Sequence, residues 1–315
     1  MRIVVTDAAT VVGDGVTLDF LQSFGEVTAY DVTAPAELAE RIAPAEILLC
    51  NKTVIPAEAM DAAPGLRFIG VFATGYNNID LEAASAREIV VCNVPGYSTE
   101  AVAQMVFSHI LLIASSIDRY TADTRAGKWV NYPVFTMLTH PMEELSGKTL
   151  GIFGYGSIGK RVAEIGAAFG MKVLVHTRTE RPGCPFPYVD AHTLLSSADY
   201  LSLNAPLNAQ TARFINEESI REMKDGAVLI NTARGGLVDE EALAAALRRG
   251  KLRAAGLDVL QSEPMASDCP LLGLPNCHIT PHVAWAPEET RERLMQIVTE
   301  NLKAFLEGTP RNRVC

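Results

Sequence analysis

Short runs of aliphatic and β-branched residues alternate along this chain with longer stretches of helical, amphipathic spacing. In the first third the apolar runs are residues 2–6 (RIVVT), 26–30 (EVTAY), 46–50 (EILLC), 66–72 (LRFIGVF) and 89–93 (IVVCN). A second series opens near residue 149 with TLGIF (149–153), followed by KVLVH (172–176), YLSLN (200–204), AVLIN (227–231), AAGLDV (254–259) and CHIT (277–280). Runs that are apolar throughout and joined by helices predict parallel strands covered on both faces. Pro35, Pro44 and Pro56 suit first-turn or loop positions between them.

Two such series predict an α/β protein with two domains. The spacing between them predicts one long helix over about 100–120, then an irregular arm, 121–147, carrying Trp129, Tyr132, Pro133, Phe135 and His140. The most apolar long stretch, 101–117, includes Gln104, Ser108, His109, Ser115 and Ser116. A membrane span needs roughly 20 predominantly apolar residues, so this one reads as a buried helix and no membrane is expected. It is apolar on too many faces for a surface helix, which predicts that it joins the arm in a homodimer interface. A last amphipathic segment, 287–308, follows the second series and can cross back to the first domain. The expected division is 1–98 with 286–315, and an inserted domain at 99–285.

The length of 315 residues exceeds what one core usually holds, in keeping with two domains. With 27 basic against 37 acidic residues the net charge is −10, which repels phosphate backbones and anionic lipid, so no nucleic-acid partner is expected. The six cysteines are scattered, with no C-x-x-C pair. They read as reduced packing residues of a cytoplasmic protein. The opening MRIVVTDAAT is too short an apolar run for a secretory signal.

The most specific local signal is GYGSIG, residues 154–159, between the strand TLGIF and the helical stretch KRVAEIGAAFG. A strand–turn–helix context is what a dinucleotide fingerprint requires. Gly154 permits the tight turn, Gly156 lets the backbone approach a pyrophosphate, and Gly159 lets the helix lie close to the sheet. Tyr155, Ser157 and Ile158 complete the turn at the helix N-terminus, where unpaired N–H groups favour an anion. The next strand, KVLVH, should end in an acid for the ribose 2′-hydroxyl. Thr177 stands there instead, followed by Arg178 and, further on, Arg181. Guanidinium groups suit a 2′-phosphate, so NADP(H) is expected ahead of NAD(H).

Three later motifs fall just past predicted strand ends, where chemistry occurs in such folds. INTARGG (230–236) carries Thr232, Ala233 and Arg234; AGLDVLQSEP (255–264) carries Asp258 and Glu263; ITPHVAW (279–285) carries His282. Each alone suits a surface charge, a loop carboxylate or a core histidine. Beside a nucleotide turn they match the needs of carbonyl reduction.

Taken together, ATGYNNIDL (73–81), NVPGYSTEAVAQ (93–104), ELSGKTLGIFGYGSIG (144–159), INTARGGLVDE (230–240), AAGLDVLQSEP (254–264) and TPHVAW (280–285) resemble the D-isomer-specific 2-hydroxyacid dehydrogenases over essentially the whole chain. NVPGYST and the arm segment YPVFTMLTHPMEEL (132–145) resemble the glycerate dehydrogenase/hydroxypyruvate reductase branch. The resemblance implies two doubly wound parallel-sheet domains, a Rossmann cofactor domain inserted in a flavodoxin-like substrate-binding domain. It implies hydride transfer between a nicotinamide cofactor and a small 2-oxo acid, hydroxypyruvate or glyoxylate first, giving the D-2-hydroxy acid. His282 would be the acid–base residue and Glu263 would orient its imidazole. Arg234 would bind the substrate and polarise its carbonyl, and the backbone of Gly75 and Tyr76 would hold its carboxylate. Asp258 and the Ala233 carbonyl would meet the nicotinamide carboxamide, and Ala205, Pro206 and Thr211 would lie along the cofactor. Lys52 could reach the substrate mouth. No metal is required, because Arg234 and His282 supply positive charge. The rival readings are a nicotinamide-sensing interaction protein, like the corepressors that resemble these enzymes, and a reductase of a larger 2-oxo acid.

Overall fold

The computed structural model describes residues 1–13 and 15–315. The chain divides into two compact units, Met1–Ser98 with Trp285–Cys315, and Thr99–Ala284. In the first unit β1 (Arg2–Val5), β2 (Glu26–Ala29), β3 (Ile47–Cys50), β4 (Phe68–Val71) and β5 (Val90–Cys92) pair in parallel in the order β2-β1-β3-β4-β5. Every residue of β3 and β4 is buried, because alternate side chains enter two different cores. Val4, Leu48 and Ile69 face the short helices α1 (Leu38–Ile42), α2 (Ala57–Asp61) and α3 (Leu81–Ala86). Ile3, Ile47, Leu49 and Phe68 fill the opposite core.

The second unit begins with α4 (Thr99–Ser115) and α5 (Ile117–Arg125). It continues through β6 (Thr149–Phe153), α6 (Ser157–Ala168), β7 (Lys172–His176), α7 (Ala191–Ser197), β8 (Tyr200–Leu203) and α8 (Glu217–Glu222). Then come β9 (Ala227–Asn231), α9 (Glu240–Arg248), β10 (Leu252–Leu257) and β11 (Cys277–Ile279). The parallel sheet runs β11-β10-β9-β8-β6-β7. Both sheets reverse winding direction beside their first strand, between β1 and β3 and between β6 and β8. Open α/β sheets bind ligands at such switch points. The last helix, α10 (Glu288–Leu306), returns to the first unit and places Leu294, Val298 and Leu302 on the core of Ile3 and Phe68. Trp285 also belongs to that unit, one residue earlier than the sequence places the crossing; its ring lies edge-on to Tyr97 with centroids 6.5 Å apart.

One expectation about the central helix is corrected. It is not continuous over 100–120 but breaks at Ser116, whose φ of 48° is left-handed, and the two halves meet at 63°. The Ser116 hydroxyl donates to the Pro141 carbonyl at 2.6 Å, a bond that fixes the break from 25 residues away. The apolar faces of α4 also have an explanation inside the unit. Val106, Ile110 and Phe107 are buried with Leu150, Ile152, Val228 and Ala254, while Leu111 alone among its large apolar residues is well exposed. Among the described residues no single helix is long and apolar enough to cross a membrane.

Candidate active site

The glycine turn sits at the β6/β8 switch point. Gly154 has φ 94°, and a Cβ there would lie 2.7 Å from the Ala205 nitrogen, so both the turn and the approach of the neighbouring strand demand glycine. A Cβ on Gly156 would meet nothing within 4 Å; a side chain would instead fill the space in front of the helix. Ser157, Ile158 and Gly159 form the first turn of α6, where backbone N–H groups lack helical partners. The turn opens on a cavity of about 540 Å³ lined by Gly154, Tyr155, Gly156, Thr177, Arg178, Ala205, Pro206 and Thr211. The Tyr155 ring is buried edge-on to Tyr188, and burial pushes its phenol above the usual tyrosine range.

The cavity floor is an aromatic stack that sequence reading missed. Phe153 lies parallel to Phe214 with centroids 3.7 Å apart and parallel to His176 at 5.7 Å. Thr177 follows His176 directly, and Arg178 and Arg181 stand exposed on the same rim. Neither guanidinium has an ion-pair partner within 4 Å among the described residues. Thr211 spends its hydroxyl on the Pro206 carbonyl at 2.7 Å, closing the loop on which both stand. Buried near the strand ends, Thr232 Oγ1 and Asn204 Oδ1 have no partner among the described residues. The glycine cradle, cationic rim and orphan polar atoms fit a dinucleotide.

Past β9, Asn231 braces the turn that carries Arg234. Its side chain accepts the Ala233 N–H at 3.0 Å and donates to the Arg234 carbonyl at 2.9 Å. The Arg234 guanidinium donates to the Ala233 carbonyl at 2.7 Å. Gly235 follows, and a Cβ on it would be 1.9 Å from the Leu260 carbonyl carbon, so this turn lies directly against the loop that carries Glu263.

Glu263 and His282, 19 residues apart, are brought together: Oε2 is 2.6 Å from Nδ1. His282 has φ 54°, a left-handed conformation rare outside glycine, and its N–H donates to the Thr280 carbonyl at 3.0 Å. Asp258, expected to meet the nicotinamide, also braces this turn. Its carboxylate accepts the Thr280 hydroxyl at 2.6 Å, the Val283 N–H at 3.0 Å and the Ala284 N–H at 2.8 Å.

In the first unit a residue without an assigned role, Asp7, organises the β1/β3 switch point. Its buried carboxylate accepts the N–H groups of Asn51 at 2.9 Å, Lys52 at 2.5 Å and Thr53 at 2.8 Å. Lys52 rides on that turn with its ammonium 5.8 Å from the centre of the Trp285 ring. Asn78 joins the loop of Gly75 and Tyr76 to the same turn by donating to the Thr53 carbonyl at 2.8 Å. The Thr6–Asp7 pair at a strand end was the available sequence signal, but it shows only once β1 and β3 are known to be neighbours.

The six cysteines form no disulfide. Burial pushes the Cys92 thiol up to about 11 and that of Cys277 up to about 12, as fits packing residues.

Residues 107–284 match the family described as D-isomer specific 2-hydroxyacid dehydrogenase, NAD binding domain. A hydroxypyruvate reductase of Blautia hydrogenotrophica is 41% identical over 100% of this chain and 99% of its own. A glycerate dehydrogenase of Methylorubrum extorquens is 38% identical over 92% of each chain. Among solved structures, an NADPH-dependent glyoxylate/hydroxypyruvate reductase from Sinorhizobium meliloti, in complex with NADP and malonate, superposes with a TM-score of 0.86 at 31% identity, covering 100% of this chain and 96% of that one. The chain therefore belongs to the D-isomer-specific 2-hydroxyacid dehydrogenases, in their glycerate dehydrogenase/hydroxypyruvate reductase branch.

Proposed function

We propose that this protein reduces a small 2-oxo acid to its D-2-hydroxy acid, with hydroxypyruvate and glyoxylate as the first substrates to consider. The observation that carries the reading is the 2.6 Å pair of Glu263 and His282, beside a sheet whose first strand ends in the phosphate turn. A nicotinamide cofactor held at the Gly154–Gly159 turn would supply hydride chemistry, and the protein must deliver a proton to the substrate's carbonyl oxygen. His282 is the proposed source of that proton. With Nδ1 bonded to Glu263, proton exchange falls to Nε2. Arg234 is the proposed anchor of the substrate's carboxylate, a task suited to its planar fork, and it would draw electron density from the adjacent carbonyl. On the first unit, the N–H groups of Gly75 and Tyr76 and the ammonium of Lys52 are the proposed carboxylate binders.

We infer that NADP(H) is used ahead of NAD(H). Thr177 stands where a carboxylate would repel a 2′-phosphate, and the exposed Arg178 offers it charge-assisted hydrogen bonds. The strip of apolar side chains exposed on the arm supports a homodimer. Six unpaired thiols suit the reducing cytoplasm, the proposed location.

The test is the loss of reduced-nicotinamide absorbance with purified protein, hydroxypyruvate or glyoxylate, and NADPH or NADH. Rapid oxidation supports the reading. Cofactor binding with no turnover on any 2-oxo acid, small or large, would replace it with the sensor.

A further inference from the structure

We propose that His109 is a positioning residue for the turn that carries His282, acting through Thr280 and Asp258. The inference rests on His282 serving as the acid–base group of the reduction. His109 stands on α4, away from the catalytic loops, and is 4% exposed. It fits there because residue 256 of β10 is glycine: a Cβ at Gly256 would lie 2.6 Å from the His109 Cβ and 3.0 Å from its Nδ1, expelling the imidazole. From that slot Nε2 comes within 3.4 Å of Thr280 Oγ1.

Proton bookkeeping along this chain of groups leaves one arrangement. The Thr280 hydroxyl has a single hydrogen, and it points to Asp258 Oδ1 at 2.6 Å. What remains for His109 is a lone pair, so His109 is the tautomer with hydrogen on Nε2 and donates to Thr280. Burial holds the imidazole below its usual pKa, against the pull of Asp258 and with a push from His278, so the donor is neutral near pH 7. Its N–H occupies the lone pair of a hydroxyl that has a second acceptor within reach, the Leu257 carbonyl at 3.5 Å. With His109 in place the Thr280 hydroxyl keeps donating to Asp258. The two Asp258 oxygens then hold the Val283 and Ala284 N–H groups, the residues that follow His282 and fix its left-handed backbone. A side chain in that backbone conformation persists only when its surroundings over-determine it.

Steady-state reduction rates test the chain of bonds. His109→Leu and Thr280→Val should each lower kcat about tenfold while the cofactor KM moves less than about threefold. His109→Gln and Thr280→Ser, which restore an N–H donor and a hydroxyl, should recover most of the loss. The double variant His109→Leu/Thr280→Val should be no slower than Thr280→Val, because two links of one chain are broken only once. Wild-type kcat in Thr280→Val, or losses that multiply in the double variant, would overturn the proposal. If His109→Leu does not fold, the Thr280→Val and Thr280→Ser pair decides alone: recovery by serine supports the relay and no recovery removes it. A His282→Ala enzyme with full turnover would mark a different failure, that of the acid–base reading itself.

Discussion

Glu263 holds His282 from one side while being held itself: Oε2 lies 2.6 Å from the imidazole Nδ1, and Oε1 accepts the Leu260 N–H at 2.9 Å. The carboxylate cannot rotate without giving up one of the two bonds, so the imidazole plane is set by the backbone of the 260–263 loop. Removing the imidazole should cost roughly 10²–10⁴ in kcat, the usual worth of a positioned acid–base group. Glu263→Gln keeps the shape and loses the charge, so it should lower kcat less than removal of the imidazole does and leave the cofactor KM nearly unchanged. Steady-state reduction rates measure this. A kcat as low as that of His282→Ala would mean that the charge of Glu263, and not its geometry, is what the imidazole needs.

The fold was largely legible because its strands are buried on both faces. Runs such as Ile47–Cys50 and Ala227–Asn231 are apolar at nearly every position and end at polar turns, which no surface element imitates. Helices of five residues, such as Leu38–Ile42, are too short to show a clear 3.6-residue period, so their bounds were not legible although helical segments were expected between these strands. The break at Ser116 was hidden for another reason: a serine pair does not stop a helix by itself, and the bond to Pro141 comes from a distant loop. The site divides in the same way. Motif spacing singled out Glu263 and His282, whereas Asp7, His109 and the Phe153–Phe214 stack depend on strands and helices becoming neighbours. Asp258 was singled out by its motif, but its bonds to Val283 and Ala284 are invisible until the turn is built.

Cofactor choice should follow the rim of the 540 Å³ cavity. A hydrogen bond to a charged group contributes about 1.5–3 kcal/mol, so Arg178→Ala should raise the KM for NADPH roughly 10- to 100-fold and leave NADH nearly unchanged. Thr177→Asp should move preference the same way, by placing a carboxylate where a 2′-phosphate would sit. The ratio of kcat/KM values for the two cofactors reads both. An unchanged ratio in Arg178→Ala would transfer the role to Arg181 or abandon NADPH preference.

Asp199 ties the start of β6 to the neighbouring layer. Its carboxylate accepts the Thr149 N–H at 2.7 Å and pairs with Lys224 at 2.9 Å. Burial alone would raise its pKa, but the Thr149 N–H and the Lys224 ammonium outweigh it and hold the carboxyl below the ordinary aspartate value of 3.8. A depressed folded-state pKa contributes stability above the unfolded value and loses it as pH falls through the folded one. Asp199→Asn should therefore cost roughly 1–2 kcal/mol at pH 7. The gap should narrow below about pH 4, where the wild-type carboxyl also gains its proton. Urea unfolding at pH 7, 5 and 3.5 checks it; a gap constant across that range would show that charge is not involved.

The arm makes the strongest demand for a partner. Phe135 is 90% exposed, Leu138 76% and Val130 70%, yet the segment is not loose. The Trp129 indole N–H donates to the Phe135 carbonyl at 3.1 Å, Asp123 pairs with both Lys128 and His140, and the Tyr120 hydroxyl donates to the His140 carbonyl at 2.8 Å. Internal bonds thus hold the arm in one shape while its large apolar side chains face water. Ordering a segment to expose apolar surface costs free energy in a monomer and is recovered when a second surface covers it. Since α4 buries its own apolar faces, the arm carries the argument for a dimer that the sequence had placed mainly on the helix. Phe135→Glu with Leu138→Glu should weaken self-association about 100-fold or more, through two buried charges and two lost anchors. The folded chain itself should survive, because neither side chain belongs to its core. Sedimentation velocity of wild type and variant measures the shift. A wild-type chain that stays monomeric at about 10 μM would remove the dimer, since obligate apolar interfaces of standard size bind far more tightly.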